Sequence, residues 1–229
     1  MLQAQLALYG REQRGTDEVT PTGIDPLDRL LPRGGFVRGS VIEWLSAAEG
    51  SGAATLAWHT ARQAARRGGA VVVVDRAAEF YPLALPTEPP LELVSRLLLL
   101  RPRSPADEVW CWYQALRCPS VAVVIGRAES LEERDSRRLQ LAAETGSGLG
   151  LLIRPATAER LPCWADIRLL SEPQPASRPR CRRWRVSPLR CRGIPDGQSI
   201  FLESDDETGD VRAAPRLADS ATRSRAQRA

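Results

Sequence analysis

Apolar positions along the chain follow two periods. Val41–Leu45 (VIEWL), Ala70–Asp75 (AVVVVD), Leu97–Arg101, Val121–Ile125 (VAVVI) and Leu149–Ile153 are short, nearly continuous apolar runs. Runs of that length and β-branched content predict strands buried on both faces. Between them the spacing changes to that of a helix. Thr55–Arg67, Pro105–Arg117 with Val109, Trp112 and Leu116, and Leu131–Glu144 each carry apolar residues three or four apart. Asp25-Pro26 opens a shorter helix bearing Leu27, Leu30 and Leu31, which Gly34-Gly35 ends. Strands alternating with helices predict an α/β fold with a mostly parallel sheet. Asp166–Leu170 and Arg182–Leu189 are predicted as antiparallel strands added at one edge.

The pattern divides the chain into three parts. Residues 1–20 read as a short amphipathic helix, with Leu2, Leu6 and Leu8, followed by a polar linker. Residues 21–203 hold the strand and helix pattern and form the core domain. Residues 204–229 run from SDDETGD to PRLADSATRSRAQRA, with almost no aromatic or β-branched content, and read as a disordered charged tail, acidic first and arginine-rich last.

Composition narrows the chemistry. The 229 residues suffice for one large domain with a buried core. No apolar run approaches the ~20 residues of a membrane helix, and the first residues lack the basic and apolar regions of a signal peptide. The expectation is a cytoplasmic protein without a membrane contact. The 32 basic residues exceed the 28 acidic ones by 4, and every one of them is arginine. Mechanisms that need a lysine are therefore excluded. The single histidine, His59, all but excludes a histidine-based triad or a histidine-rich metal site. The five cysteines include no CxxC pair and read as reduced thiols, so no metal and no cofactor is expected.

The segment after Val41–Leu45 has the frame of a phosphate-binding loop: strand, small-residue loop, helix. The working pattern is GxxxxGK[ST], in which backbone N–H groups wrap the phosphates, the lysine neutralises them and the hydroxyl holds magnesium. The matching residues here are Ala47, Gly52, Ala53 and Ala54, with Gly50 inside the loop and Thr55 one position late. Only the second glycine of the pattern is kept. Without cation and metal, most of the stabilisation that phosphoryl transfer needs is missing.

The run from Pro21 to Pro82 resembles the start of the RecA ATPase core. The shared skeleton is Thr22-Gly23, Leu27-Asp28, Leu31, Gly34-Gly35, Gly39, Glu43, the loop, Thr55-Leu56, Gly68-Gly69, Asp75 and Pro82. The resemblance also implies where catalytic groups belong. The water-activating glutamate matches Ala77, the magnesium aspartate falls at Ile125-Gly126, and the adenine-stacking aromatic falls near Ala84. The loss of the loop cation, the hydroxyl, the glutamate and the aspartate together implies a pseudo-ATPase. Leu131–Pro155 and Cys181–Gly193 resemble stretches of the ImuA family, RecA-fold relatives also named for a likeness to the cell-division inhibitor SulA. That resemblance covers roughly residues 20–203. It implies a non-catalytic accessory role in damage-induced (SOS) error-prone translesion synthesis. The implied partners are an ImuB-like Y-family polymerase homologue and a DnaE-type error-prone polymerase, with RecA and a weak DNA contact as further candidates. The alternatives are a RecA-like ATP-dependent DNA-binding ATPase and a SulA-like division inhibitor.

Arg178 to Arg192 carries seven arginines and no acidic residue. Two readings stand. Arg182, Arg183, Arg185, Arg190 and Arg192 with the interleaved Trp184 are the materials of a single-strand binding surface, arginines for phosphates and an aromatic for a base. Alternatively the segment is an edge strand or partner surface, with charge on one face and Trp184 and Val186 on the other.

Overall fold

A computed structural model describes residues 18–81, 95–191, 193–195 and 197–214. The expected helix within residues 2–12, together with Pro82, Ala84, Arg192 and residues 215–229, lies outside the described residues. In chain order the elements are β1 (Val19–Thr20), α1 (Asp25–Leu30), β2 (Phe36–Val37), β3 (Val41–Ser46), α2 (Ala53–Arg66), β4 (Ala70–Val74), β5 (Leu97–Leu100), α3 (Pro105–Arg117), β6 (Val121–Arg127), α4 (Glu133–Gly146), β7 (Leu149–Pro155), a 3-10 turn (Ala156–Arg160), β8 (Ile167–Gln174), β9 (Cys181–Arg190), β10 (Ile200–Asp205) and β11 (Val211–Ala213).

Nine of these strands form one sheet in the order β11-β10-β9-β8-β3-β7-β6-β4-β5. Strands β3 to β8 run parallel to their neighbours, and β9, β10 and β11 continue antiparallel. β8 corrects one expectation. It was predicted as an antiparallel addition, but it pairs parallel with β3, and the sheet first reverses at β9. The 3-10 turn and the loop after it carry the chain back across the sheet, so β8 re-enters from the same end as β3.

Helices cover both faces. Leu56, Ala57, Ala61 and Ala64 of α2 pack on Trp44, Val71, Val73, Ile125, Leu151 and Ile153, together with Leu27 of α1. Trp112 and Leu116 of α3 and Leu139 and Ala143 of α4 pack on the other face against Val72, Val74, Val124 and Leu152. The alternation explains the runs of valine: consecutive residues of β4 enter opposite cores, so none is left for solvent. Each such side chain contributes about 1.5–3 kcal/mol on burial. Trp112 is buried whereas its neighbour Trp110 is 57% exposed, as two residues on different faces of one helix must be. Among the described residues no helix is long and apolar enough to cross a membrane.

A buried ionic cluster ties the centre of the sheet together. Glu43 of β3 accepts from Arg154 of β7 at 2.6 Å and from Arg168 of β8. Arg154 also donates to the Ala128 carbonyl at 3.0 Å, and Arg168 to the carbonyls of Glu159 and Leu161. The glutamate of the RecA-like skeleton is thus the shared anion of three adjacent parallel strands.

The two domain boundaries differ from expectation. Val19 and Thr20, read as the end of a polar linker, pair with Val37 and Phe36 as a two-stranded sheet, and Thr20 is buried. Residues 204–214, read as the beginning of a disordered tail, are the end of β10, a turn and β11. The Asp205 carboxylate accepts the N–H groups of Glu207 and Thr208, an Asx turn that bends the chain back. The backbone N–H of Glu207 is the main cause holding the Asp205 carboxyl below its ordinary value.

Candidate functional site: the loop after β3 and its cleft

The loop between β3 and α2 is fixed from beneath. Ser46 Oγ lies 2.7 Å from Ser51 Oγ, and Ser51 Oγ accepts the Ala53 N–H at 3.4 Å. Ser171 of β8 donates to the Ser51 carbonyl at 2.5 Å, and its own carbonyl accepts the Ala47 N–H at 3.1 Å. The Trp184 indole N–H of β9 donates to the Gly50 carbonyl at 2.9 Å. Gly52, the surviving glycine of the pattern, has φ +78°, and a Cβ there would sit 2.3 Å from the Trp184 ring. Both the backbone conformation and the ring restrict that position to glycine.

Helix α2 begins directly after Gly52, so its first two residues are Ala53 and Ala54. Ala53 is buried in the core under the loop, whereas Ala54 and Thr55 line a cleft of about 420 Å³. The cleft opens at the C-terminal ends of β4, β6 and β7, the side of an open parallel sheet where ligands bind. Its apolar wall includes Val73, Ile125 and Ile153 with the stacked rings of Trp58 and Phe80, 5.3 Å apart. Most charges on its rim have a partner or a structural task; Arg62 of α2 also lines it. Asp75 accepts the N–H groups of Glu79 and Phe80 at 2.9 and 3.2 Å, and Glu79 pairs with Arg127 at 2.8 Å. Arg182 pairs with Asp206 at 3.0 Å. The turn between β10 and β11, which brings Asp205, Asp206 and Glu207, forms one side of the cleft. Sequence reasoning missed that side, although a Thr208-Gly209 turn signal after the apolar Ile200–Leu202 run was present.

His59 of α2 also faces this cleft, and its Nε2 is buried without a hydrogen-bond partner. Burial, and next to it the charge of Arg62, lower its pKa, so the imidazole is held toward its neutral form.

The arginine-rich segment is β9, and the two sequence readings separate here. Trp184 is 1% exposed and packs into the core with Val186, so it offers no face to a base. Arg183 is buried too, 3.9 Å from Glu203 and with its guanidinium over the Phe201 ring. Arg183 is therefore not a solvated charge, and β9 is not an edge: it is an inner strand, flanked by β8 and β10. Arg185 pairs with Glu172 at 2.6 Å, Arg178 with Asp205 at 2.9 Å, and Arg180 with Glu207. Much of the positive charge seen in the sequence is thus matched by carboxylates of the neighbouring strands. Arg190, at the far end of β9, donates to the Cys163 carbonyl at 2.6 Å.

Comparison with known proteins agrees with this architecture. No protein-family model matches the chain. The RadB recombinase crystal structure superposes with a TM-score of 0.64 at 18% identity, covering 86% of this chain and all of that one, which establishes the fold. Short stretches are similar to RecA proteins, 42% identical over 66 residues in Nocardioides and 45% over 58 in Treponema pallidum. They cover 29% and 25% of this chain. The protein ImuA of Caulobacter vibrioides is 30% identical over 235 residues, covering 90% of this chain and 94% of its own length. On a RecA-like fold, end-to-end similarity at this level places the chain in the ImuA family.

Proposed function

We propose that this chain is a non-catalytic accessory protein of damage-induced, error-prone translesion DNA synthesis, working in the cytoplasm as an adaptor between proteins. The observation that carries the first half is the start of α2. A nucleotide-binding loop needs an ammonium and a hydroxyl at its first two helical positions, and this helix supplies Ala53 and Ala54. Ala77 stands where a general base is needed, and β6 ends at Gly126-Arg127 without the metal-binding aspartate. Arg127 and Arg182 line the cleft but are already paired with Glu79 and Asp206, so neither stands in for the missing ammonium. These residues do not fit ATP with magnesium, and no reaction step is assigned to them.

The adaptor half rests on membership of the ImuA family. Its partners in this reading are an ImuB-like Y-family polymerase homologue and a DnaE-type polymerase, with RecA as a third. The matched charges of β9 and the burial of Trp184 favour its role as sheet structure over a direct single-strand contact.

Isothermal titration of the full chain with ATP and magnesium tests the first half. The expected result is no heat at millimolar nucleotide. Micromolar binding followed by hydrolysis would replace this reading with the ATPase one. Co-sedimentation with each purified polymerase protein tests the second half, and its failure with every one of them removes the adaptor role.

A further inference from the structure

A second tryptophan, unlike Trp184, is open to solvent. Trp164 is 38% exposed in the loop between the 3-10 turn and β8. Its backbone N–H donates to Ser136 Oγ at 2.9 Å, and the Arg137 guanidinium sits 4.3 Å from the ring centroid. Both contacts come from the first turns of α4, so the indole is held on a rigid element. Leu161, three residues earlier, is 47% exposed. Arg190 donates to the Cys163 carbonyl, which brings the end of β9 against this loop, and Leu189 beside it is 38% exposed.

The charge here differs from that along the rest of the arginine-rich segment. Arg178, Arg180, Arg182, Arg183 and Arg185 each have a carboxylate within 4 Å. Among the described residues Arg137 and Arg190 have none: Arg137 donates to the Gln140 side chain and lies over the Trp164 ring, and Arg190 donates to the Cys163 carbonyl. The carboxylate that acts on Arg190 from farther off, Asp166, already accepts the Val41 N–H at 2.9 Å.

We infer that this face docks an acidic, apolar segment of a partner protein, with carboxylates on Arg137 and Arg190 and an apolar side chain on Trp164 beside the exposed leucines. Tryptophan and arginine are the residues that most often dominate protein interfaces. An indole already ordered by Ser136 and Arg137 loses little freedom on binding. Charge complementarity selects an acidic occupant, because two arginines without carboxylates stand beside the ring. The two leucines select protein over a single nucleic-acid strand, since they offer neither charge to a phosphate nor a π face to a base. The inference rests on the adaptor reading and names one surface for it.

The test measures binding of the full-length chain to each purified polymerase partner of the adaptor reading, and separately to a fluorescein-labelled oligothymidylate. Wild type is compared with Arg137→Glu/Arg190→Glu and with Trp164→Ala, each checked by thermal melting. The charge-reversed pair is the safeguard should the tryptophan variant fold poorly, because both arginines are exposed. The expected result is partner binding weakened about tenfold or more in both variants, with oligonucleotide affinity unchanged. Undiminished partner binding by the variants overturns this surface and leaves the adaptor reading standing. A loss confined to the oligonucleotide makes the face a nucleic-acid site and overturns the inference. If wild type binds neither partner, the adaptor reading falls and takes this surface with it.

Discussion

The indole N–H of Trp184 donates to the carbonyl of Gly50, 134 residues away in the chain. The same ring occupies the space a Cβ at Gly52 would need. One side chain of an antiparallel strand thus sets the path of a loop that joins a parallel strand to its helix.

The two loop glycines are expected to respond differently to alanine. Both have positive φ, but nothing lies within 4 Å of a Cβ at Gly50. Gly50→Ala should cost about 1–2 kcal/mol, the strain of the left-handed region alone. Gly52→Ala adds the clash with Trp184 and should cost clearly more. Trp184→Ala should cost about 3–5 kcal/mol through the cavity it leaves. Urea denaturation of the three variants orders them; equal midpoints for the two glycine variants would show that the ring does not shape the loop.

The Glu43 cluster makes a second expectation. Glu43→Gln keeps the shape and removes the anion, leaving the buried Arg154 guanidinium uncompensated. The expected loss is about 3–5 kcal/mol. Replacing all three members, as Glu43→Leu/Arg154→Met/Arg168→Met, should recover most of that loss, because no charge then remains buried. Recovery should be incomplete, since the Ala128 carbonyl also loses its donor. A triple variant less stable than Glu43→Gln in urea would refute this account.

The contrast between these two sites shows what was legible in the sequence. The valine and leucine runs revealed the parallel strands, because burial on both faces leaves no polar position in them. The loop at Ala47–Thr55 was legible because its chemistry is local: a cation and a hydroxyl are present or they are not. The role of Trp184 was hidden because it depends on β9 lying two strands from β3, a relation that no spacing along the chain encodes. The arginines misled for the same reason. Their carboxylates lie on β8, on β10 and in the turn after it, so a run that is basic in sequence is largely neutralised in the sheet. The β10–β11 hairpin was missed because acidic composition outweighed the short apolar run Ile200–Leu202 and the turn after it.

Ser147 closes α4 in the left-handed region at φ +61°, where its N–H bonds the Ala143 carbonyl at 2.8 Å. Glycine holds that conformation without the Cβ penalty. Ser147→Gly should therefore stabilise the protein by about 0.5–1 kcal/mol, since Arg38 donates to the Ser147 backbone carbonyl, which glycine keeps. A rise in melting temperature checks this; a fall would mean that the hydroxyl contributes more than the strain costs.

Acidification should weaken the fold just below neutrality, and His59 is the cause. Its pKa lies below the ordinary 6.5, first through burial and then through Arg62, with Gly209 and Asp210 opposing. The unfolded chain therefore binds the proton more readily than the folded one. Stability from this group is fully present above pH 6.5 and falls as the pH drops from there to the folded value. The chain has no other histidine, so no second imidazole blurs the window. Asp166 works in the opposite sense: burial raises its carboxyl above 3.8, so acid favours the folded state there. A loss of stability on acidification is then not attributable to Asp166. Urea midpoints from pH 7.5 down to about 5.5 should decline in wild type and flatten in His59→Gln. An identical decline in both proteins would assign the pH dependence elsewhere.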